Sequence, residues 1–228
     1  MRLLAFETST EACSVAVSVD GRVLERFELA PRRHTELALP WAEALLAEAG
    51  ITRRQLDAVA VGRGPGAFTG VRLAIAVGQG IALALDLPLV PVSTLAALAM
   101  RGAGERCIAA IDARMGEVYL GRFARAGAGV RALSTEVVVR PELAELPDGD
   151  GWHGVGTGFG AADNALPARF GQRLAAVDAQ ALPHAADVAQ LAALALAGGE
   201  GLAPERVEPA YLRNDVALTL AQQQARRA

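Results

Sequence analysis

The sequence predicts an α/β chain built as two lobes, and three observations predict it. Strand patterns open each half, helical patterns follow in each, and a glycine-rich run at 102–104 lies between them. The expected division is a first lobe over 1–104 and a smaller second lobe, with a polar tail, over 105–228. Hydrophobic residues make up 52% of the 228, enough for substantial cores, and aromatics only 4%, so Ala, Leu and Val must fill them.

In the first half, 2–6, 12–19 and 22–29 read as strands, with Val15, Val17 and Val19 alternating with small residues and Asp20-Gly21 marking a hairpin. A helix follows over 36–49, stopped by Gly50, with Pro40 expected in or near its first turn. A short strand at 57–61 enters a glycine-rich loop, a helix spans 69–85, a strand 89–92, and a third helix 94–100. In the second half, strands are expected at 107–112, 117–123 and 136–139, and a helix at 185–197 before Gly198-Gly199. A Pro/Gly/Asp-rich stretch at 141–151 leads to a glycine run at 154–160, and the last ten or so residues read as a frayed polar tail.

Composition excludes several chemistries. The chain has no lysine, so a Schiff base or P-loop lysine is absent. A net charge of −3 argues against broad, unaided nucleic-acid binding. Cys13 and Cys107 are far apart and form no CxxC pair; Cys13, in a strand pattern, reads as a small buried hydrophobe. The apolar start at 3–6 ends at Glu7, too short for a signal peptide, and the uncharged run 73–85 is shorter than the roughly 20 residues of a membrane span. A soluble, cytoplasmic protein is expected.

Residues 62–70 join a buried strand to a helix, and glycines there allow close backbone approach while Thr69 could cap the helix. This suits an anion, but the spacing is neither GxGxxG nor Walker A, so from spacing alone a tight turn that binds nothing is the favoured reading. Glu7-Thr8-Ser9 and the run around Gly156 can each be a sharp turn, with the acid at Glu7 satisfying neighbouring N–H groups. Asp112 with Arg114 reads as a structural ion pair, His34 as a cap or rim contact, and Arg213 as either a tail anchor or a contact to another molecule.

The helix over 69–85 is apolar all round: Leu73, Val77, Ile81 and Leu85 line one face, and Gly70, Ala74, Gly78 and Ala82 another. With Leu37, Trp41 and Leu45 of the preceding helix, that small-residue stripe is the expected partner surface, or a self-complementary homodimer contact in the isolated chain.

Five motifs carry a family resemblance, in order: FETST at 6–10, HTELALP at 34–40, GPGAFTGVR at 64–72, IDARMGEVY at 111–119 and EPAYLRN at 208–214. Together they resemble the TsaB (YeaZ) family, over about residues 2–215. The resemblance implies an actin/sugar-kinase/heat-shock-chaperone (ASKHA) fold. It also implies a non-catalytic subunit supporting threonylcarbamoyl transfer to adenosine at position 37 of ANN-decoding tRNAs. The implied partners are the catalytic paralogue TsaD and, through the complex, the ATPase TsaE and tRNA. No cofactor of its own is implied, and ATP or ADP only jointly with partner subunits. The superfamily's first phosphate loop would fall at Thr8 and Ser9 and a second-lobe glycine loop at Gly156, which makes these weak nucleotide-site candidates. Arg213 could hold the tail or contact tRNA or another subunit.

The catalytic paralogue's His-x-x-x-His metal pair would fall at Thr94 and Leu98, neither of which replaces an imidazole. No catalytic and no metal residue is therefore expected. The rival readings are an autonomous ATP-dependent enzyme of the same superfamily and, lacking every needed constellation, a glycoprotein-cleaving peptidase.

Overall fold

The computed structural model describes residues 1–213. The expected frayed tail lies beyond them, outside the described residues. The first sheet has five strands: β1 (Arg2–Glu7), β2 (Ala12–Val19), β3 (Arg22–Leu29), β4 (Ala58–Gly62) and β5 (Leu89–Val92), in the order β3-β2-β1-β4-β5. The first three form an antiparallel meander, while β1, β4 and β5 run parallel. The Asp20-Gly21 turn has positive φ at both residues, which is why Asp-Gly suits that hairpin.

Strand periodicity of two explains how this sheet is covered. Leu4 and Phe6 of β1, Val15 and Val17 of β2, and Val59 and Val61 of β4 point to one face, where α1 (His34–Glu48) and α2 (Phe68–Leu85) close the core. Leu3, Ala5, Ala16, Ala58 and Ala60 point to the other, where α5 (Ala185–Ala197) packs with Val188, Ala189 and Ala192. Alanine on both sides of that contact lets the helix lie close to the strands. The first N–H groups of α5 are satisfied from the sheet: Ala185 N–H donates to Ser14 Oγ at 2.9 Å and Ala186 N–H to Glu25 Oε1 at 3.0 Å. Burial pushes the Glu25 carboxyl up, but His184 at 2.9 Å, the Ala186 N–H and the Ser14 hydroxyl outweigh it and hold the group below its ordinary value. Phe27 stacks flat on His184, ring centroids 4.1 Å apart.

The second sheet comprises β6 (Arg106–Arg114), β7 (Glu117–Ala126), β8 (Gly129–Ala132), β9 (Val137–Val139), β10 (Trp152–Val155) and β11 (Leu174–Asp178), ordered β11-β10-β6-β7-β8 with β9 also on β7. Ile108, Val118, Phe159 and Leu166 fill one face, the last from α4 (Ala165–Phe170). Leu95 and Leu98 of α3 (Thr94–Ala99) cover the other with Cys107, Ile111 and Phe123. This is a mixed-sheet α/β fold with flanking helices. Residues after 104 do not stay with the second sheet: α5 covers the first one, and Gln79 of α2 donates to the carbonyls of Pro204 and Val207 at 2.9 and 3.2 Å.

Several expectations need correction. Pro40 is the seventh residue of α1, not a first-turn residue; it faces solvent, so the lost hydrogen bond lies on the wet side of the helix. Strands β8, β10 and β11 and helix α4 were not expected, and the first two residues of the 154–160 run belong to β10. The partner stripe is the larger correction. Ala74 and Ala82 are buried, and a Cβ added at Gly78 would lie 2.5 Å from Val61 Cγ1 and 3.0 Å from Leu89 Cδ1. Gly70, Ala74, Gly78 and Ala82 face the first sheet, because only small residues let an 18-residue helix rest on its branched side chains. Leu45 is likewise core, while Leu37 and Trp41 stay half-buried. Among the described residues α2 is the one helix long and apolar enough to cross a membrane by length and composition.

Candidate functional site

All five sequence motifs reach one cleft of about 870 Å³. Ser9 and Thr10 enter from the loop after β1, His34 from the head of α1, and Phe68 and Arg72 from the first turns of α2. Asp112 and Arg114 arrive from the β6–β7 hairpin, and Tyr211 and Arg213 from the C-terminal segment of the described chain. The cleft lies between the two sheets because each motif sits at a strand or helix end that points there.

The glycine-rich loop is shaped by the backbone it touches. A Cβ at Gly66 would lie 2.4 Å from the Ser9 carbonyl oxygen, and one at Gly70 1.9 Å from that of Thr8. Thr8 Oγ1 donates to the Gly70 carbonyl at 2.7 Å, and the Ala67 N–H to the Ser9 carbonyl at 2.7 Å. The loop after β1 and the start of α2 are therefore stitched together. Thr69, expected as the cap, is instead the second residue of α2; the cap position is Ala67, with no side-chain bond.

Glu7 anchors this junction. It is fully buried, and its Oε1 accepts from the Ser9 N–H at 2.8 Å and the Ser9 hydroxyl at 2.5 Å, while Oε2 accepts from the Thr94 hydroxyl at 3.0 Å. Burial pushes its carboxyl above the ordinary range despite these donors. Gly62 is obligatory beside it, since a Cβ there would lie 2.0 Å from Glu7 Oε2. Thr94, the first of the two positions expected to lack metal histidines, is thus locked onto Glu7, and Leu98 is buried in the second core. The described residues place no three His, Cys, Asp or Glu side chains where they could hold a metal.

The weak nucleotide candidates have structural work of their own. The hydroxyls of Thr8 and Ser9 are engaged as above. Gly156, at φ 107°, lets the chain pass β6, where a Cβ would lie 2.3 Å from the Ala110 carbonyl oxygen. Asp112 and Arg114 form the expected ion pair at 3.0 Å, exposed at the hairpin tip. His34 Nε2 lies 3.0 and 3.1 Å from the carbonyl oxygens of Thr10 and Ala12, a rim contact in which that nitrogen donates. Arg213 anchors the C-terminal segment across the cleft, donating to the Ala113 carbonyl at 3.0 Å and to Glu117 at 2.6 Å.

Sequence reasoning missed the contacts made between motifs. Arg72 lies 3.3 Å above the Phe68 ring and 5.3 Å from that of Tyr211, and donates to the Tyr211 hydroxyl. Phe68 and Arg72 are four residues apart on a helix, a legible pairing; Tyr211, 139 residues on from Arg72, was not legible. Glu136 ties the halves together by pairing with Arg63 at 3.5 Å and accepting from Ser93, the residue that caps α3.

Residues 27–217 match the family model described as TsaD, tRNA N6-adenosine threonylcarbamoyltransferase. The chain is 42% identical over 231 residues to the tRNA threonylcarbamoyladenosine biosynthesis protein TsaB of Escherichia coli K12, covering 95% of this chain and 96% of that one. It is 38% identical to the TsaB protein of Haemophilus influenzae, with 95% of each covered. The solved structure of YeaZ from Pseudomonas aeruginosa superposes with a TM-score of 0.87 at 48% identity, over 92% of this chain and 99% of that one. The family model is described by a transferase, whereas these relatives, matched over nearly their whole length, are TsaB and YeaZ proteins. The chain belongs to the TsaB/YeaZ family.

Proposed function

We propose that this chain is a non-catalytic subunit required for forming threonylcarbamoyladenosine in tRNA, acting by binding a catalytic TsaD-type paralogue. One observation carries the reading. A member of this family holds, at the two positions of the paralogue's metal pair, a threonine hydroxyl bonded to a buried glutamate and a core leucine. Neither side chain can polarise a carbonyl or carry a metal there. What remains is architecture, which fits the ASKHA superfamily, and surfaces. Nucleotide, where it enters, is held jointly with partner subunits, a reading supported by the Thr8 and Ser9 hydroxyls being spent on Gly70 and Glu7. The ATPase TsaE and tRNA join through the complex, in the cytoplasm.

The partner surface belongs on the outer face of α2, not its inner stripe. Ala76, Gly80, Leu83 and Ala84 are exposed there, with Leu83 59% accessible, and half-buried Leu37 and Trp41 of α1 extend the apolar area. A shallow depression of about 430 Å³ between Gly80, Ala84 and the side chains of Arg53 and Arg54 gives a partner helix a foothold with cations at its border. Gly80 has no neighbour that an added side chain would strike. Gly80→Glu with Leu83→Glu should therefore keep stability within about 0.5 kcal/mol per site while abolishing co-purification with a TsaD-type protein. Retained co-purification would move the interface off this face.

A further inference from the structure

The cleft carries a feature that a scaffold does not need. In a chain of net charge −3, four arginines line it (Arg32, Arg72, Arg114 and Arg213) against two carboxylates, Glu11 and Asp112. Arg213 is spent on Glu117, and Arg114 on Asp112. Arg32 and Arg72 make no ion pair among the described residues. At the mouth, three large side chains stand exposed: Phe68 at 66%, Tyr211 at 56% and Met115 at 85%. Phe68 carries the Arg72 guanidinium over its ring and remains largely exposed. Two non-glycine residues that line it, Arg32 and Arg114, are held at positive φ (69° and 63°). Such left-handed positions cost free energy and persist where the surroundings impose them, which is common at binding rims.

We infer that the mouth of this cleft binds a single-stranded segment of RNA directly, stacking an unpaired base on Phe68 and Tyr211 while Arg32 and Arg72 contact its phosphodiesters. The inference rests on the reading that the chain serves tRNA modification, and it goes beyond it by giving this subunit its own RNA contact. The chemistry selects the ligand in three ways. Unpaired bases offer a π-face to an exposed ring, whereas a duplex hides it. Guanidinium groups without carboxylate partners suit phosphodiester oxygens. The volume, about 870 Å³, accommodates one or two nucleotides but not a helix. The unfavourable overall charge is consistent with a local contact that adds to those made by a partner, not with a chain that binds RNA broadly.

The test is fluorescence anisotropy with a labelled 12-nucleotide single-stranded RNA, the same strand in a duplex, and ATP. It uses the full chain alone and mixed with a TsaD-type protein. The expected result is binding of the single strand in preference to the duplex. Phe68→Ala and Tyr211→Ala should each weaken it about 10-fold, and Arg32→Gln should lower the slope of log affinity against log salt by about 0.7. Arg32→Gln removes no ion pair found among the described residues, so a folding defect does not confound it. Failure to bind the single strand, equal binding of the duplex, or binding unchanged in all three variants overturns the inference. Binding of ATP alone, lost in the same variants, also overturns it and assigns the cleft to a free mononucleotide. Product formation assayed on the same preparations separates the two readings. If wild-type chain supports modification yet binds no RNA, the subunit role stands and the RNA contact falls. If RNA is bound but modification needs no added chain, the subunit role is the one that fails.

Discussion

Gly70→Ala should lower the melting temperature by roughly 4–8 °C, a large effect for adding a single methyl group. The added carbon would lie 1.9 Å from the Thr8 carbonyl oxygen, a backbone atom that cannot turn away. Alanine is the better helix former by about 1 kcal/mol, but overpacking against fixed backbone costs about 3 kcal/mol or more and wins. Displacement would also break the Thr8 hydroxyl bond to the Gly70 carbonyl, loosening the junction at the cleft floor. Gly78→Asp should be worse, since it combines a 2.5 Å clash on Val61 with a buried unpaired carboxylate. A thermal melt checks both, and an unchanged melting temperature for Gly70→Ala would mean that α2 can shift off β1 at little cost. The same geometry explains why a charged residue on this stripe does not probe partner binding: it unfolds the chain first.

Glu7→Ala should cost about 3 kcal/mol, because it strands three buried donors whose orphaning costs about 1–3 kcal/mol each. The loss is less than their sum because the Ser9 and Thr94 hydroxyls lie 3.2 Å apart and can pair with each other. Glu7→Gln keeps the shape and one carbonyl acceptor, and should differ from wild type by less than about 1 kcal/mol at neutral pH. Wild type and the glutamine variant also separate by pH. Burial raises the folded-state value of Glu7, so the folded protein prefers the protonated form. Its contribution is complete below the ordinary unfolded value and is lost as pH rises through the raised folded value. Glutamine does not titrate. Urea melts at stepped pH should therefore find the Gln variant gaining on wild type as pH rises through that window. A constant difference across pH would mean that Glu7 does not titrate differently on folding.

Much of this fold was legible because strand and helix periods differ. The valine alternation of β2, the Asp-Gly hairpin and the amphipathic helix over 185–197 were all read at their observed positions. Strand β10 was missed because its second half, Gly154-Val155, opens a glycine run that reads as a loop; its strand character comes from pairing with β6 and β11. The Gly/Ala stripe of α2 illustrates a deeper limit. Small residues at four-residue spacing fit equally well under a partner helix or on a sheet. The choice depends on what stands opposite, and Val61 and Leu89 opposite Gly78 settle it here. The cleft was legible only as separate motifs. Nothing local to 208–214 says that Tyr211 will meet Arg72, or that Arg213 will reach Glu117 across 96 residues.

Glu7 was readable as an acid satisfying neighbouring N–H groups, and it does so at Ser9. Its bond to Thr94 was not readable, yet that bond joins the fold to the function. Thr94, where the resemblance would place a metal histidine of the catalytic paralogue, finishes a buried hydrogen-bond network instead.

On the proposed function, this chain is necessary for the reaction and does not perform it. The direct measurement is the amount of threonylcarbamoyladenosine formed on unmodified tRNA by a reconstituted TsaD-type enzyme system, with this chain present, omitted, or supplied in place of the TsaD-type protein. Product is expected only when both proteins are present. Equal product without this chain, or product from this chain without the TsaD-type protein, would contradict it.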